Sequence, residues 1–341
     1  MTLPLLGSGP LVEPRAFQAL PHRFDTPAEP RTLMTLPLLG PAPPAESRTP
    51  IALLPSVQHP YRAEGLASIR ASVWRRVQGH VLHRNKVPPP VGVGEDEREF
   101  DYIEGSEKGP SHWGDLKEEW AICKNGDMQS PIDLSNARVK IISYSDQLYT
   151  NYKSSNATII NRGHDIAVYW RGDAGSISVN GTEFFLKQCH WHSPSEHSIS
   201  GRKYDLEMHM LHESSDKNIF VVGAFYKIGH HSDHFLYQLE KDIKQLVDKE
   251  EERQIGETNP SNVQTRGKMY YRYLGSLTTP PCTEGVIWNI DRKIRKVSED
   301  QVRLLREAVH DHAERNARPR QPRNNRDIVY FRYKSRAKPK H

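Results

Sequence analysis

Short apolar runs separated by turn residues dominate the chain from Glu95 onward, and they predict a sheet. Within these runs apolar and polar residues tend to alternate, which is the period of a strand with one buried face. Asn180-Gly181 separates two such runs and predicts a tight hairpin turn. The segments predicted as strands include 158–160, 166–170, 176–179 and 219–222.

Two segments stand out as helical. The segment 233–249 has the spacing of an amphipathic helix with one apolar face. That face consists of Phe235, Leu236, Leu239, Ile243, Leu246 and Val247. A second helix is predicted to begin at Ser298, because Ser298 and Gln301 have the spacing of a capping box. Many strands with few helices indicate a mostly β domain of the α+β type.

Residues 1–94 have a different composition and predict a separate extension. The segment is rich in Pro and Arg, a composition that opposes ordered elements. We interpret it as a disordered extension, with a targeting segment or a gene-model artefact as alternatives. Pro4 and Pro10 interrupt the only candidate apolar stretch of a secretory signal, so no clear signal peptide is predicted. The remaining chain divides into a domain at 95–337 and a basic tail at 338–341.

The position of the charged residues bears on the class of partner. The 341-residue chain has a formal net charge of +5, and residues 315–341 hold ten Lys or Arg and one acid, so the rest carries −4. We therefore expect no nucleic-acid-binding face on the domain. No run approaches the roughly 18 apolar residues of a membrane span, so no span is predicted. The sequence carries no pattern that predicts an oligomeric state.

The candidate chemistry lies in three of the 17 histidines. His190 and His192 occupy alternate positions of a predicted strand, so both imidazoles point to one face. Alternation in the segment 205–211 places Glu207 and His209 on one face, opposite a row of Leu and Met. If the two strands pair, three imidazoles converge, and three neutral imidazoles leave a tetrahedral zinc ion one open position. On spacing alone, histidines that bind no metal remain the alternative.

Several motifs along the chain share one order with a known family. They are Ser111-His112-Trp113-Gly114, Gln129-Ser130-Pro131-Ile132-Asp133, Asn161-Arg162-Gly163-His164, Gln188-Cys189-His190-Trp191-His192, Ser195-Glu196-His197, Glu207-Met208-His209-Met210-Leu211-His212, Gly275-Ser276-Leu277-Thr278-Thr279-Pro280-Pro281-Cys282 and Asn316-Ala317-Arg318-Pro319. Together they resemble the α-class carbonic anhydrases, and the plant members most closely, from Ser111 to about Tyr333. The resemblance implies the α-carbonic anhydrase fold, a large, mostly antiparallel twisted sheet with few peripheral helices.

The same resemblance implies a zinc enzyme and a set of residue roles. Zinc is expected on His190, His192 and His209, with hydrogen bonds from these imidazoles to Gln188, to the Asn316 carbonyl and to Glu207 respectively. The implied reaction is reversible hydration of carbon dioxide to bicarbonate and a proton by zinc-bound hydroxide, for which carbonic anhydrases are the standard example.

Three further roles follow from the resemblance. The Thr278 hydroxyl is expected to donate to Glu196 and so to orient the nucleophile. His164 is expected to shuttle the proton, because an unperturbed imidazole titrates near pH 6.5. Arg162, which stands where a neutral Asn is common in the family, is expected to disfavour the charged form of His164. The apolar pocket for carbon dioxide is expected to consist of Leu211, Val221, Leu277, Thr279, Val286 and Trp288.

Cysteines and glycosylation signals bear on the compartment. The resemblance implies a disulfide between Cys123 and Cys282, and it leaves Cys189 as a core thiol. Asn156 and Asn180 begin Asn-x-Thr sequons. These features favour a glycoprotein of a plant's secretory route, either extracellular or in a plastid, although no clear signal peptide supports it.

Two alternatives to carbon dioxide hydration stay open. One is ester hydrolysis at the same zinc site, and the other is a non-catalytic storage or binding member of the fold. The complete set of predicted ligands, together with Thr278 and Glu196, favours the enzyme.

Overall fold

The structure is a computed structural model that describes residues 99–135, 139–144, 148–263, 265, 267–309 and 313–333. The predicted extension at 1–94 and the basic tail at 338–341 lie outside the described residues, so the domain bounds 95–337 stay a prediction. Among the residues described, no helix is both long enough and apolar enough to cross a membrane.

Twelve strands form one sheet within the described residues. They are β1 (Val139–Tyr144), β2 (Tyr149–Tyr152), β3 (Ser155–Asn161), β4 (Ile166–Trp170), β5 (Gly175–Val179), β6 (Thr182–His192), β7 (Leu206–Glu213), β8 (Ile219–Ile228), β9 (Glu252–Thr258), β10 (Met269–Ser276), β11 (Glu284–Val297) and β12 (Ile328–Tyr333). The helices are α1 (Trp113–Leu116), α2 (Ile122–Asn125), α3 (His234–Ile243) and α4 (Glu299–Glu307), with 3-10 turns at Glu118–Trp120 and Pro260–Val263. Few helices and a large sheet confirm the predicted fold class.

The strand order across the sheet is β1-β12-β10-β11-β8-β7-β6-β4-β3-β9, with β5 between β6 and β2. Only β1 with β12 and β8 with β11 pair in parallel among the described strands. The prediction of a mostly antiparallel sheet is therefore confirmed. The hairpin predicted at Asn180-Gly181 joins β5 to β6, and both residues adopt a positive φ, as a tight turn of this kind requires.

Each face of the sheet has its own core. On one face, α3 and α4 pack through Phe235 and Leu305 against a cluster that includes Met208 and Met210 of β7. On the other face, Leu211 of the same strand joins a separate aromatic and aliphatic cluster. The predicted alternation of β7 is confirmed, because Leu206, Met208 and Met210 enter the first core and Leu211 enters the second.

The predicted helix starts are confirmed, but one predicted end is wrong. Ser298 caps α4 with both bonds of the capping box, and the Asp233 carboxylate caps α3 by accepting from the Leu236 amide at 3.0 Å. The helix predicted to reach residue 249 ends at Ile243 and continues as turns. Leu246 is still fully buried in the same core. The periodicity therefore marked a buried face correctly, but it did not mark where the helical hydrogen bonds stop.

Gln301 connects the starts of both helices. Its side-chain oxygen accepts from the amides of Asp233 at 2.7 Å and Ser298 at 3.3 Å. Its side-chain nitrogen donates to the Asp233 carbonyl at 2.9 Å and to Glu240 Oε1 at 3.3 Å. Because Gln301 is buried, its removal leaves buried backbone groups without partners.

We expect Gln301→Ala to lower the free energy of unfolding by about 2 kcal/mol, from the loss of capping and the unpaired groups. Urea denaturation measures the change. Arg303→Ala, at an exposed position of the same helix, serves as the control and is expected to cost about 0.5 kcal/mol or less. Equal urea midpoints for the two variants would mean that the bonds of Gln301 to the starts of α3 and α4 contribute little to stability.

Candidate metal centre

The pairing of β6 with β7 brings the three predicted imidazoles together. His190 lies directly opposite His209, and His192 lies opposite Glu207. The ring centroids are 4.9 Å apart for His190 and His192, 5.2 Å for His190 and His209, and 4.6 Å for His192 and His209. The convergence that the sequence made conditional on strand pairing is therefore present.

A bulge in β6 decides which face these histidines occupy. The pairing with β7 shifts between Leu186 and Gln188, which inserts an extra residue and turns the strand's later side chains to the other face. Before the shift Leu186 enters the first core, and after it Cys189 and Trp191 enter the same core. Without the bulge, strict alternation would aim His190 into that core. The prediction that His190 and His192 share a face is confirmed. The change from even to odd apolar positions along β6 marks the bulge, and the sequence reasoning did not use that signal.

Each imidazole uses one nitrogen to donate to a fixed oxygen. His190 Nδ1 donates to Gln188 Oε1 at 2.8 Å, and His192 Nδ1 donates to the Asn316 carbonyl at 2.8 Å. His209 Nε2 donates to Glu207 Oε1 at 2.9 Å. These are the three pairings that the resemblance implied. They leave His190 Nε2, His192 Nε2 and His209 Nδ1 as acceptors, the form in which imidazole binds a metal.

The three remaining nitrogens fit a zinc ion. One ring nitrogen from each histidine lies within 4.8 Å of the other two. His192 Nε2 is buried and has no hydrogen-bond partner in the described structure, an arrangement that costs free energy unless another group binds there. Three neutral nitrogens with an open fourth direction are the donor set of a catalytic zinc site.

Burial favours the neutral form of His190 and His209. It lowers the pKa of His190 well below its ordinary value. Burial also lowers the pKa of His209, although the hydrogen bond to Glu207 and its charge oppose that shift. A neutral imidazole retains the lone pair that a metal requires, so these shifts favour metal binding at lower pH than an exposed histidine allows.

A buried chain of hydrogen bonds supports Glu207, and the sequence reasoning did not find it. His197 donates to Glu207 from Nδ1 at 2.7 Å and from its backbone amide at 2.8 Å. His197 Nε2 accepts from the Tyr273 hydroxyl at 2.6 Å, and that hydroxyl lies 2.8 Å from Ser130 Oγ. Burial alone would raise the pKa of Glu207, but His197 and His209 hold it well below its ordinary value. The carboxylate therefore stays ionised beside His209.

Glu196 is placed at the site, but its predicted bond with Thr278 is not formed. Glu196 is fully buried, and its Oε1 accepts from the Arg318 amide at 3.0 Å. Its Oε2 has no hydrogen-bond partner in the described structure and lies 3.6 Å from His192 Nε2. Thr278 is buried as well. The Arg318 amide, which the sequence reasoning did not assign, thus orients Glu196 in this arrangement.

The predicted apolar wall forms one cluster beside the histidines. Leu211, Val221, Val286 and Trp288 are buried in the second core, and Leu277 packs against it. The ring of Trp288 lies 4.7 Å from that of His209, centroid to centroid. Thr279 is half-buried, and its carbonyl accepts from the Cys282 amide at 2.8 Å.

His164 lies in a half-buried position next to Asn316, the residue whose carbonyl accepts from His192. Its ring packs against Phe100, with the centroids 5.3 Å apart, and its Nε2 is 3.6 Å from Asp165 Oδ2. The His164 carbonyl accepts from the Asn316 side chain at 2.7 Å. Asn316 thus contacts the backbone of His164 and the imidazole of His192, which joins the chain segment of the predicted shuttle to the three-histidine centre.

Arg162 does not face His164 as an isolated charge. Its Nε donates to Asp165 Oδ1 at 2.7 Å, and its Nη2 donates to the other carboxylate oxygen. Burial alone would raise the pKa of Asp165, but Arg162 and His164 hold it well below its ordinary value. The ionised carboxylate neutralises the guanidinium, so the expected repulsion between Arg162 and His164 is offset by a residue that the sequence reasoning did not consider.

The cysteines take the predicted arrangement. Cys123 and Cys282 form a disulfide with an S–S distance of 2.06 Å, across a sequence separation of 159 residues. Cys189 is a buried free thiol in the first core, and burial raises its pKa well above the ordinary value. Asn156 and Asn180, the two sequon residues, are exposed.

This sheet, with three imidazoles directed at one point from two of its strands, has the architecture of the α-class carbonic anhydrases. The model of the eukaryotic-type carbonic anhydrase family matches residues 108–332. Carbonic anhydrase Nec1 of Nesocodon mauritianus is 54% identical over 247 residues, which are 71% of this chain and 88% of that protein. Alpha carbonic anhydrase 7 of Arabidopsis thaliana is 51% identical over 242 residues, which are likewise 71% of this chain and 88% of that protein.

A solved structure agrees with the sequence relatives. The crystal structure of dioscorin complexed with ascorbate matches with a TM-score of 0.67 and 44% identity, over 69% of this chain and 98% of that one. The chain therefore belongs to the eukaryotic-type carbonic anhydrase family.

Proposed function

We propose that this chain is a carbonic anhydrase that catalyses the reversible hydration of carbon dioxide, with zinc held by His190, His192 and His209. The observation that carries the proposal is the convergence of three imidazole nitrogens whose other nitrogens are all engaged. When bound, zinc supplies a Lewis acid that lowers the pKa of water to near neutrality, the property for which carbonic anhydrases are the standard example.

The surrounding residues would position the reactants. Carbon dioxide is uncharged and apolar, so the wall of Leu211, Val221, Val286 and Trp288 suits it and excludes water. Glu196 is buried at the site and held by the Arg318 amide. A carboxylate can only accept, so a movement of the Thr278 side chain that brought its hydroxyl to Glu196 would leave the threonine oxygen to accept from the attacking group and fix its orientation.

His164 would remove the proton that the reaction releases. Its backbone carbonyl accepts from the Asn316 side chain, and the Asn316 carbonyl accepts from His192, so the residue lies beside the support of the centre. Imidazole is the side chain that exchanges protons readily near neutral pH. We expect His164→Ala to slow turnover roughly 10- to 100-fold at low buffer concentration, a typical loss for a proton-transfer group. Stopped-flow hydration assays measure the loss, and added imidazole should restore the rate.

Two comparisons make that experiment specific. Zinc content should be the same in His164→Ala as in the parent protein, because His164 binds no part of the centre directly. His231→Ala, at an exposed position, should leave turnover unchanged. If His164→Ala turns over at the parent rate in dilute buffer, His164 is not the shuttle.

Metal content and hydration activity together separate this function from its alternatives. One zinc per chain with hydration activity is the expected result. One zinc with ester hydrolysis but no hydration would favour the hydrolase. A purified chain that takes up no zinc would favour a storage or binding protein.

We further propose that the chain follows the secretory route, to the cell exterior or to a plastid. The Cys123–Cys282 disulfide supports an oxidising compartment, and both sequons are exposed to a glycosylating enzyme. Protein purified from the native tissue should carry N-glycans on Asn156 or Asn180, which mass spectrometry after glycosidase treatment detects. Determination of the mature N-terminus in the same sample would show whether residues 1–94 are removed.

A further inference from the structure

A cleft of about 770 Å³ lies outside the three-histidine group. Its apolar wall comes from the N-terminal segment through Tyr102, Ile103 and Pro110, and from Pro194 and Ala317 on the other side. A cleft of this volume holds a small organic molecule. None of the three metal-site histidines lines it.

The cleft shares a supporting segment with the metal centre, although none of the three histidines lines it. The Asn316 carbonyl accepts from His192, and the Arg318 amide donates to Glu196. Ala317, between these two residues, lines the cleft. The segment 316–318 therefore supports the metal centre through the Asn316 carbonyl and the Arg318 amide, while Ala317 and Arg318 also line a second cavity.

The charged residues that line the cleft are mainly cationic. Lys124, Lys203, Arg315 and Arg318 carry positive charge, against two acids, Glu104 and Glu314. Two of the cations are already engaged. Lys124 pairs with Asp115 at 2.8 Å, and Arg318 donates to buried oxygens of Gln129, Ser130 and Cys123.

Lys203 and Arg315 are the cations that remain available to a ligand. Within the described part of the chain, neither side chain forms a hydrogen bond or an ion pair. Both reach solvent. Partial burial lowers the pKa of Lys203 from its ordinary value, and Arg320 and Arg315 lower it further, while Glu196 and Glu207 oppose the shift. An anion between Lys203 and Arg315 would relieve their mutual repulsion.

We propose that this cleft is a second binding site, separate from the metal centre, for a small organic dicarboxylate with an apolar body. Lys203 and Arg315 would bind the carboxylates, since a guanidinium binds a carboxylate through two parallel hydrogen bonds. The body of the ligand would lie against Tyr102, Ile103 and Pro110. A neutral molecule of the same shape would lack the ionic contacts and bind more weakly.

Phthalate is the probe that tests this site, with its neutral dimethyl ester as the comparison. Isothermal titration of the zinc-loaded protein at low ionic strength should give a phthalate affinity at least about tenfold above that of the ester. The double variant Lys203→Gln/Arg315→Gln should lose at least about tenfold in phthalate affinity. Lys241→Gln/Lys244→Gln, which removes the same charge from exposed positions near α3, should bind phthalate as the parent does.

Two further measurements separate the cleft from the metal centre. Phthalate affinity should survive removal of zinc, whereas binding that disappears with zinc would place the probe at the three histidines and overturn the proposal. Ser111→Trp should block the cleft while both cations remain, and thermal midpoints equal to that of the parent should show that the variants are folded. Equal affinity for phthalate and its ester, or an unchanged affinity in the Lys203 and Arg315 variant, would also overturn it.

Discussion

Replacing His209 with alanine is expected to abolish carbon dioxide hydration and to prevent stoichiometric zinc binding. His209 supplies one of three converging nitrogens, and its other nitrogen holds the ionised Glu207. Its removal takes away a ligand and leaves a buried carboxylate without one of its donors. We expect the loss in zinc affinity to exceed the roughly 10- to 100-fold that removal of an outer hydrogen-bond partner costs. Competition with a chromophoric chelator measures this affinity.

His212→Ala is the matched control for that variant. His212 lies three residues further along the same strand and is equally buried, but it contacts Tyr152 at 2.8 Å instead of the centre. The control should bind one zinc per chain and retain hydration activity, even if its unfolding temperature falls. A His209→Ala protein that binds zinc as tightly as the parent would exclude His209 as a ligand.

Removal of the disulfide by Cys123→Ser/Cys282→Ser is expected to cause the largest loss of stability. The cross-link closes a loop of 159 residues, and the chain-entropy model gives about 5 kcal/mol for a loop of that length. Both cysteines are buried with Phe100, Trp113 and Trp120, so two hydroxyls would also replace apolar sulfur in a core. Denaturant titration without reductant measures the change in the free energy of unfolding.

Cys189→Ala separates the cross-link from the loss of a buried sulfur. Cys189 is fully buried and forms no disulfide, so this variant changes packing alone and is expected to cost about 1 kcal/mol. Cys123→Ser/Cys282→Ser should therefore lower the free energy of unfolding several times more than Cys189→Ala does. Comparable losses in both proteins would mean that the loop closure contributes little.

Local sequence patterns predicted the elements whose causes are local. The capping box at Ser298 and Gln301 and the hairpin at Asn180-Gly181 involve residues within three positions of each other, and both appear as predicted. The two faces of β7 follow from simple alternation, which the structure confirms. The end of α3 did not follow from its pattern, because the buried face continues through turns as far as Leu246.

The candidate site depended more on distant contacts. The resemblance implied its histidines and their partners, and the structure brings all of these together. It did not imply the bulge after Leu186, the pairing of Arg162 with Asp165 or the bond from the Arg318 amide to Glu196. The bulge and the Arg318 amide set the direction of groups at the centre, and the Arg162–Asp165 pair sets the charge beside His164.

By itself, the sequence determined a mostly β domain, its family motifs and three histidines whose spacing suits a metal site. Only the tertiary structure decided which face of the sheet the three histidines occupy and which hydroxyl supports His197. It alone also showed the cleft that Lys203 and Arg315 line. The reason is physical: backbone periodicity and capping depend on neighbours a few positions away. The Tyr273–His197 and Asn316–His192 contacts instead join residues 76 and 124 positions apart, so they exist only once the chain has folded.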